Sequence, residues 1–238
     1  VSAIFWCVAG AHTNDAIQAL EREIAPKMAA HYSAIYMNDR LFARIDALQG
    51  KAGSLRLDAE TARVLERTWK RFVRAGAKLD RPSKERLSSI NSELASLGAS
   101  FGQNVLADEK DWVLFLKEED LAGVPDFLRD SMAEAAVLRE RPGAFAVTLS
   151  RSIVIPFLTF ASRRDLREKA FHAFAKRGEN GGAGAKGKNV KETLALGAEK
   201  AKLRGYDTYA ARKVDDTLAK TSDAVMGLLD PVRAKARE

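Results

Sequence analysis

The sequence predicts a mainly α protein, a helical bundle carrying a small inserted antiparallel β-sheet. Three observations predict it. Apolar residues recur three and four apart through most of the 238 residues, the spacing of a buried helix stripe. Residues suited to cap helices stand just before those runs. The pattern shifts to short alternating or β-branched runs only around residues 112–116 and 145–155.

The elements follow in order. The apolar run Val1 to Ala9 has no basic residues before it and does not begin with Met, so it reads as an internal helix rather than a signal peptide. Thr13 or Asn14 caps a helix with Ile17, Leu20 and Ile24 on one face. Pro26 is expected to kink that helix or start the next, because its ring cannot donate a backbone bond. Met28, Tyr32, Ile35 and Tyr36 continue an apolar face, and Asn38-Asp39 breaks it before Leu41, Phe42, Ile45 and Leu48. A turn spans Gly50 to Gly53. Asp58 caps a helix with Val64, Leu65, Trp69, Phe72 and Val73 on one side, and Gly76 closes it. Asp80-Arg81-Pro82-Ser83 stops and restarts the chain, with Ser83 as cap. Leu87, Ile90, Leu94, Leu97, Phe101 and Val105 then trace the longest stripe, one helix of a bundle.

In the middle, Trp112 to Leu116 and Phe145, Val147 and Leu149 predict strands, with Asp126 to Arg139 helical between them. With Ile153-Val154-Ile155 following, these runs fit a two- or three-stranded sheet, its last strand ended by Pro156. Helices follow through Leu166, Ala170, Phe171 and Phe174, around Leu194 to Leu203, and from Ser222 to Arg237. A loop is expected from Gly178 to Gly187. The terminal helices, with Ile4, Phe5 and Val8 at one end and Val225, Leu228, Leu229 and Val232 at the other, are expected to keep apolar faces uncovered and to favour self-association.

Composition narrows the function classes. No stretch approaches the ~18 apolar residues of a membrane span. The single Cys7 excludes an intramolecular disulfide and points to a reducing compartment, the cytoplasm. In its apolar run Cys7 reads as a small buried hydrophobe rather than a nucleophile. The net charge of +7 raises nucleic acid as a partner. Basic and acidic residues interleave, however, as in Glu66-Arg67-Thr68-Trp69-Lys70-Arg71, which is how solvated helix faces look.

Chemistry-bearing motifs are scarce. Gly182 to Lys188 spells G-x-x-x-x-G-K, but Asn189 stands where a phosphate-binding loop needs Ser or Thr, and a helical pattern precedes it where a strand is required. His12, His31 and His172 are far apart, and no H-E-x-x-H string occurs. No catalytic, cofactor-binding or metal-ligating residue is assigned to this chain.

A family resemblance adds to this. Gly10-Ala11-His12-Thr13-Asn14-Asp15-Ala16 with Ala25-Pro26-Lys27 is similar to the early region of the thimet oligopeptidase family. Further stretches match in order: Leu65-Glu66-Arg67-Thr68 into Phe72 to Ala77, Asn91-Ser92-Glu93-Leu94 into Phe101 to Leu106, Pro156-Phe157-Leu158 with Arg167-Glu168-Lys169, and Arg177 to Gly181. Ala201 to Tyr206, Tyr209-Ala210 and Ala219-Lys220-Thr221 complete the series. Together they resemble the N-terminal, non-catalytic part of these zinc metallopeptidases, most of all the bacterial peptidyl-dipeptidase branch. The regions Ser150 to Ile155 and Gly181 to Gly187 are less typical. The family places its H-E-x-x-H motif, third zinc ligand and substrate-handling groups in a C-terminal half, so none of them carries over to a position here.

The resemblance implies a helical domain over residues 1–140, and over 141–238 the start of the following helical lobe with its short β element. The zinc domain would lie outside the chain. It also implies zinc in the full-length parent, short peptides as substrates, and for this chain a role as scaffold and one wall of the substrate channel, inactive alone. The rival expectation is a stand-alone basic helical module that binds another helix or nucleic acid.

Overall fold

A computed structural model describes residues 2–178 and 185–238. Among these the chain forms eleven α-helices and two strands: α1 (Ser2–Ala11), α2 (Asp15–Tyr36), α3 (Asp39–Gly50), α4 (Ala59–Ala75), α5 (Arg81–Asp111), β1 (Val113–Leu116), α6 (Asp126–Val137), β2 (Phe145–Thr148), α7 (Arg151–Phe160), α8 (Arg164–Ala175), α9 (Ala185–Leu203), α10 (Tyr209–Val214) and α11 (Ser222–Ala236). The mainly α class with one small antiparallel sheet is as the sequence predicts.

The chain gathers into two compact units, residues 1–99 with 190–238, and residues 100–189. The boundary expected at residue 140 falls inside the second unit, between α6 and the strand β2.

In the first unit, side-chain caps set the helix starts. Asn14, Asn38 and Asp58 accept from the backbone N–H groups of Ile17, Leu41 and Thr61 at 3.0, 2.9 and 2.9 Å. α4 ends at Gly76, whose φ of +107° is left-handed. A Cβ there would stand 2.6 Å from Leu87 Cδ2, so glycine is required by both backbone and space. The aromatic face of α4 then packs on α2 and α3. Phe72 meets Tyr36 edge-on at 5.0 Å and stacks on Phe42 at 6.4 Å. Trp69 joins this cluster, and its indole N–H donates to Asp46 at 2.7 Å. Leu87 and Ile90 on α5 are fully buried, and Asn91 donates to the buried Ser33 hydroxyl of α2 at 3.0 Å.

The second unit holds the larger core. β1 and β2 pair antiparallel, Val113 opposite Thr148 and Leu116 opposite Phe145. Leu128 and Met132 of α6, Val154 and Phe157 of α7, and Ala170 of α8 pack around them with no exposed surface. Each large side chain of this set contributes about 1.5–3 kcal/mol by leaving water. Trp112 lies partly buried against the same core.

Several expectations fail, for local reasons. Pro26 does not start a new helix: α2 runs through it, since one missing backbone bond does not end a helix of 22 residues. α5 starts earlier than expected: Asp80, not Ser83, is the cap, accepting from the Ser83 N–H at 3.0 Å. Pro82 sits in the first turn, where no backbone donor is needed. The third strand is absent. Ile153-Val154-Ile155 lies in α7 with Pro156 inside the helix, and Ile153, Val154 and Phe157 turn inward at helical spacing. β-branching mimics a strand there, and tertiary packing decides otherwise. Of the loop expected from Gly178 to Gly187, residues 179–184 lie outside the described residues, and α9 already begins at Ala185. The short helix α10, capped by Thr208, had no clear sequence pattern.

Candidate functional site

The residues singled out in the sequence do not assemble. His12, His31 and His172 are all exposed, on or beside α1, α2 and α8. His172 has Glu168 3.8 Å away as a helical neighbour, and His31 lies against the ring of Tyr32. Among the described residues no three His, Cys, Asp or Glu side chains come together where they could hold a metal ion. Cys7 corrects an expectation: it is exposed, because α1 buries none of its residues. The element before the Gly-rich segment is the helix α8, not the strand a phosphate-binding loop follows. Among the described residues no helix is long and apolar enough to cross a membrane.

What the fold does bring together is a basic cleft in the first unit. Its walls come from Tyr32, Ser33 and Tyr36 on α2, Ala75 on α4, Asn91 on α5, Lys200 on α9 and Arg204 just past the end of α9, enclosing about 250 Å³. α9 delivers Lys200, and Arg204 follows in the turn after it, its N–H donating to the Ala201 carbonyl at 3.0 Å; Ala201 itself is fully buried. The aromatic wall is ordered: Tyr32 and Tyr36 stack at 6.5 Å, and the Arg71 guanidinium lies 4.7 Å over the Tyr36 ring.

The electrostatics of the cleft are one-sided. Burial, reinforced by Arg204 and Arg212, pushes the Lys200 ammonium down to about 8. Burial, with Arg212 and Arg74 adding to it, lowers the Arg204 guanidinium to about 10. Its Nε is sealed from solvent and has no acceptor. The neighbouring acids are engaged elsewhere. Asp215 and Asp216 pair with Arg74, Asp215 also accepts from the Tyr206 hydroxyl at 2.9 Å, and Glu199 takes a two-pronged bond from Arg86 at 2.6 and 2.7 Å. Sequence reasoning missed this pair. The only signal was their four-residue spacing, and among 39 Lys and Arg residues that signal does not stand out.

Comparison with known proteins locates the chain. Residues 157–238 match the profile of peptidase family M3. Across its whole length the chain is 34% identical, over 239 aligned residues, to the dipeptidyl carboxypeptidase of Escherichia coli, of which it covers 35%. The chain is similar to peptidases of family M3. It is 25% identical over 217 residues to oligopeptidase A of Haemophilus influenzae, spanning 89% of this chain and 32% of that protein. To saccharolysin of Saccharomyces cerevisiae it is 29% identical over 196 residues, 82% of this chain and 26% of that protein. The chain thus spans about a third of the length of the M3 relatives it matches. The segment matching the M3 profile includes α8 to α11, and with them Lys200 and Arg204.

Proposed function

We propose that this chain is the non-catalytic N-terminal part of a zinc-dependent oligopeptidase of the peptidyl-dipeptidase type, forming scaffold and one wall of a channel that admits short peptides. One observation carries the reading. Similarity to a dipeptidyl carboxypeptidase runs along all of this chain yet occupies 35% of that enzyme, and no H-E-x-x-H string occurs here. In this reading the zinc and the groups that act on the peptide bond belong to sequence beyond these 238 residues, and this chain's helices hold the wall they face. The single thiol suits a reducing compartment such as the cytoplasm.

The coding sequence past Glu238 tests the proposal. The expected result is an open frame that continues into an H-E-x-x-H motif. A stop codon directly after Glu238 would overturn it in favour of a self-standing basic module.

A further inference from the structure

We propose that the cleft bounded by α2, α4, α5 and α9 is an oxyanion site, in which Lys200 and Arg204 hold a phosphate or carboxylate group. The inference does not depend on the chain belonging to a peptidase.

Charge comes first. Among the described residues neither Lys200 nor Arg204 makes a side-chain hydrogen bond or ion pair, although both are partly buried, Lys200 in the last turn of α9 and Arg204 just past its end. Two like charges withdrawn from water without a counter-ion are unfavourable, and the penalty for an unpaired buried charge exceeds that for a neutral polar group. Two other part-buried cations of the first unit, Lys84 and Arg74, each have a carboxylate partner, Asp39 and Asp215. Lys200 and Arg204 have not. The nearby charges that act on Lys200 are the cations Arg204 and Arg212, while Asp215 is shared by Arg74 and Tyr206.

Geometry comes second. A planar guanidinium beside an ammonium offers the forked and point donors that oxyanions accept from. Tyr32 and Tyr36 complete the wall on the α2 side. At about 250 Å³ the cleft is smaller than the ~300–1,000 Å³ that enclose drug-sized ligands, so it suits a charged head group rather than a whole large molecule.

The test uses the 238-residue chain and two probes, inorganic phosphate and an N-acetylated dipeptide with a free C-terminal carboxylate, each titrated calorimetrically against sodium chloride of equal ionic strength. Saturable binding of at least one probe is expected. It should weaken tenfold or more in Lys200→Met and in Arg204→Met and stay unchanged in Lys110→Met, which removes the same charge from an exposed site on α5. Saturation by phosphate alone assigns the site to phosphate groups, and saturation by the dipeptide alone assigns it to peptide termini. In the unaltered chain, ¹³C-labelled lysine should show the Lys200 titration moving up when the probe binds, a readout that survives any misfolding of the variants. Three results would overturn the proposal: no saturation by either probe, a response that follows ionic strength alone, or a Lys200 titration indifferent to a probe that binds.

Discussion

Lys200 holds its ammonium where water is scarce and the neighbouring charges are positive, and that makes the stability of the chain pH-dependent in a definite direction. Its folded-state pKa is lowered from 10.5 to about 8. Below about pH 8 both folded and unfolded chains carry the proton, and the whole penalty of burying it is present. From about 8 to 10.5 the unfolded chain binds the extra proton, so this contribution to stability rises with pH. Lys200→Met is therefore expected to raise the melting temperature by a few degrees at pH 7, with the gain shrinking to nothing near pH 10.5. Calorimetric melts of both proteins across that range check it, and subtraction removes the opposite trend from Tyr206, whose phenol is raised by burial. Gly76 is the other residue whose role is local and absolute. At φ +107°, with Leu87 Cδ2 2.6 Å from where a Cβ would stand, Gly76→Ala meets strain and overlap together. A loss of about 1–3 kcal/mol is expected from the backbone alone, read from urea unfolding midpoints.

At the scale of elements, the two terminal helices leave large apolar side chains in water. α1 and α11 bury none of their residues, and Ile4, Leu228, Leu229 and Val232 are 72%, 70%, 50% and 59% exposed. Several apolar side chains left in water on one face favour association, each gaining about 1.5–3 kcal/mol when covered. The chain is expected to sediment with a concentration-dependent mass, and Leu228→Glu with Leu229→Glu to return it to monomer. A monomer at every concentration would show these faces to be tolerated as they are. Helix starts were the most legible elements in the sequence, because an Asn or Asp at a cap bonds only to its own next turn and needs no distant partner. Pro26 and Pro156 were less legible: each lies inside a helix whose length or packing outweighs one missing bond. The run Ile153-Val154-Ile155 reads as strand by local preference alone, and only the core supplied by α6 and the two-stranded sheet turns it into helix. The basic cleft was hidden for the same reason on a larger scale. Lys200 meets Tyr32, Tyr36 and Asn91 only after four helices have packed, and nothing in the local sequence marks which Lys faces inward.

For the molecule as a whole, the proposed function is structural, and that proposal has a biochemical consequence. The isolated chain, supplied with zinc and a short reporter peptide, is expected to show no chelator-sensitive cleavage and to retain no stoichiometric metal after dialysis, since its three histidines stand on separate helical segments. Turnover abolished by chelator would contradict the proposed division of labour. The arrangement of aromatic residues described above also has an optical consequence. The three indoles occupy three environments: Trp6 is 38% exposed on α1, Trp69 sits in the aromatic cluster of the first unit with Asp46 on its N–H and Lys78 over its ring, and Trp112 rests against the core of the second. With Trp6 and either partner changed to Phe, the emission of the chain comes from one unit at a time. A shift to longer wavelength during denaturation then times the melting of that unit alone, so ordinary ultraviolet light can watch the two halves of this molecule come apart separately.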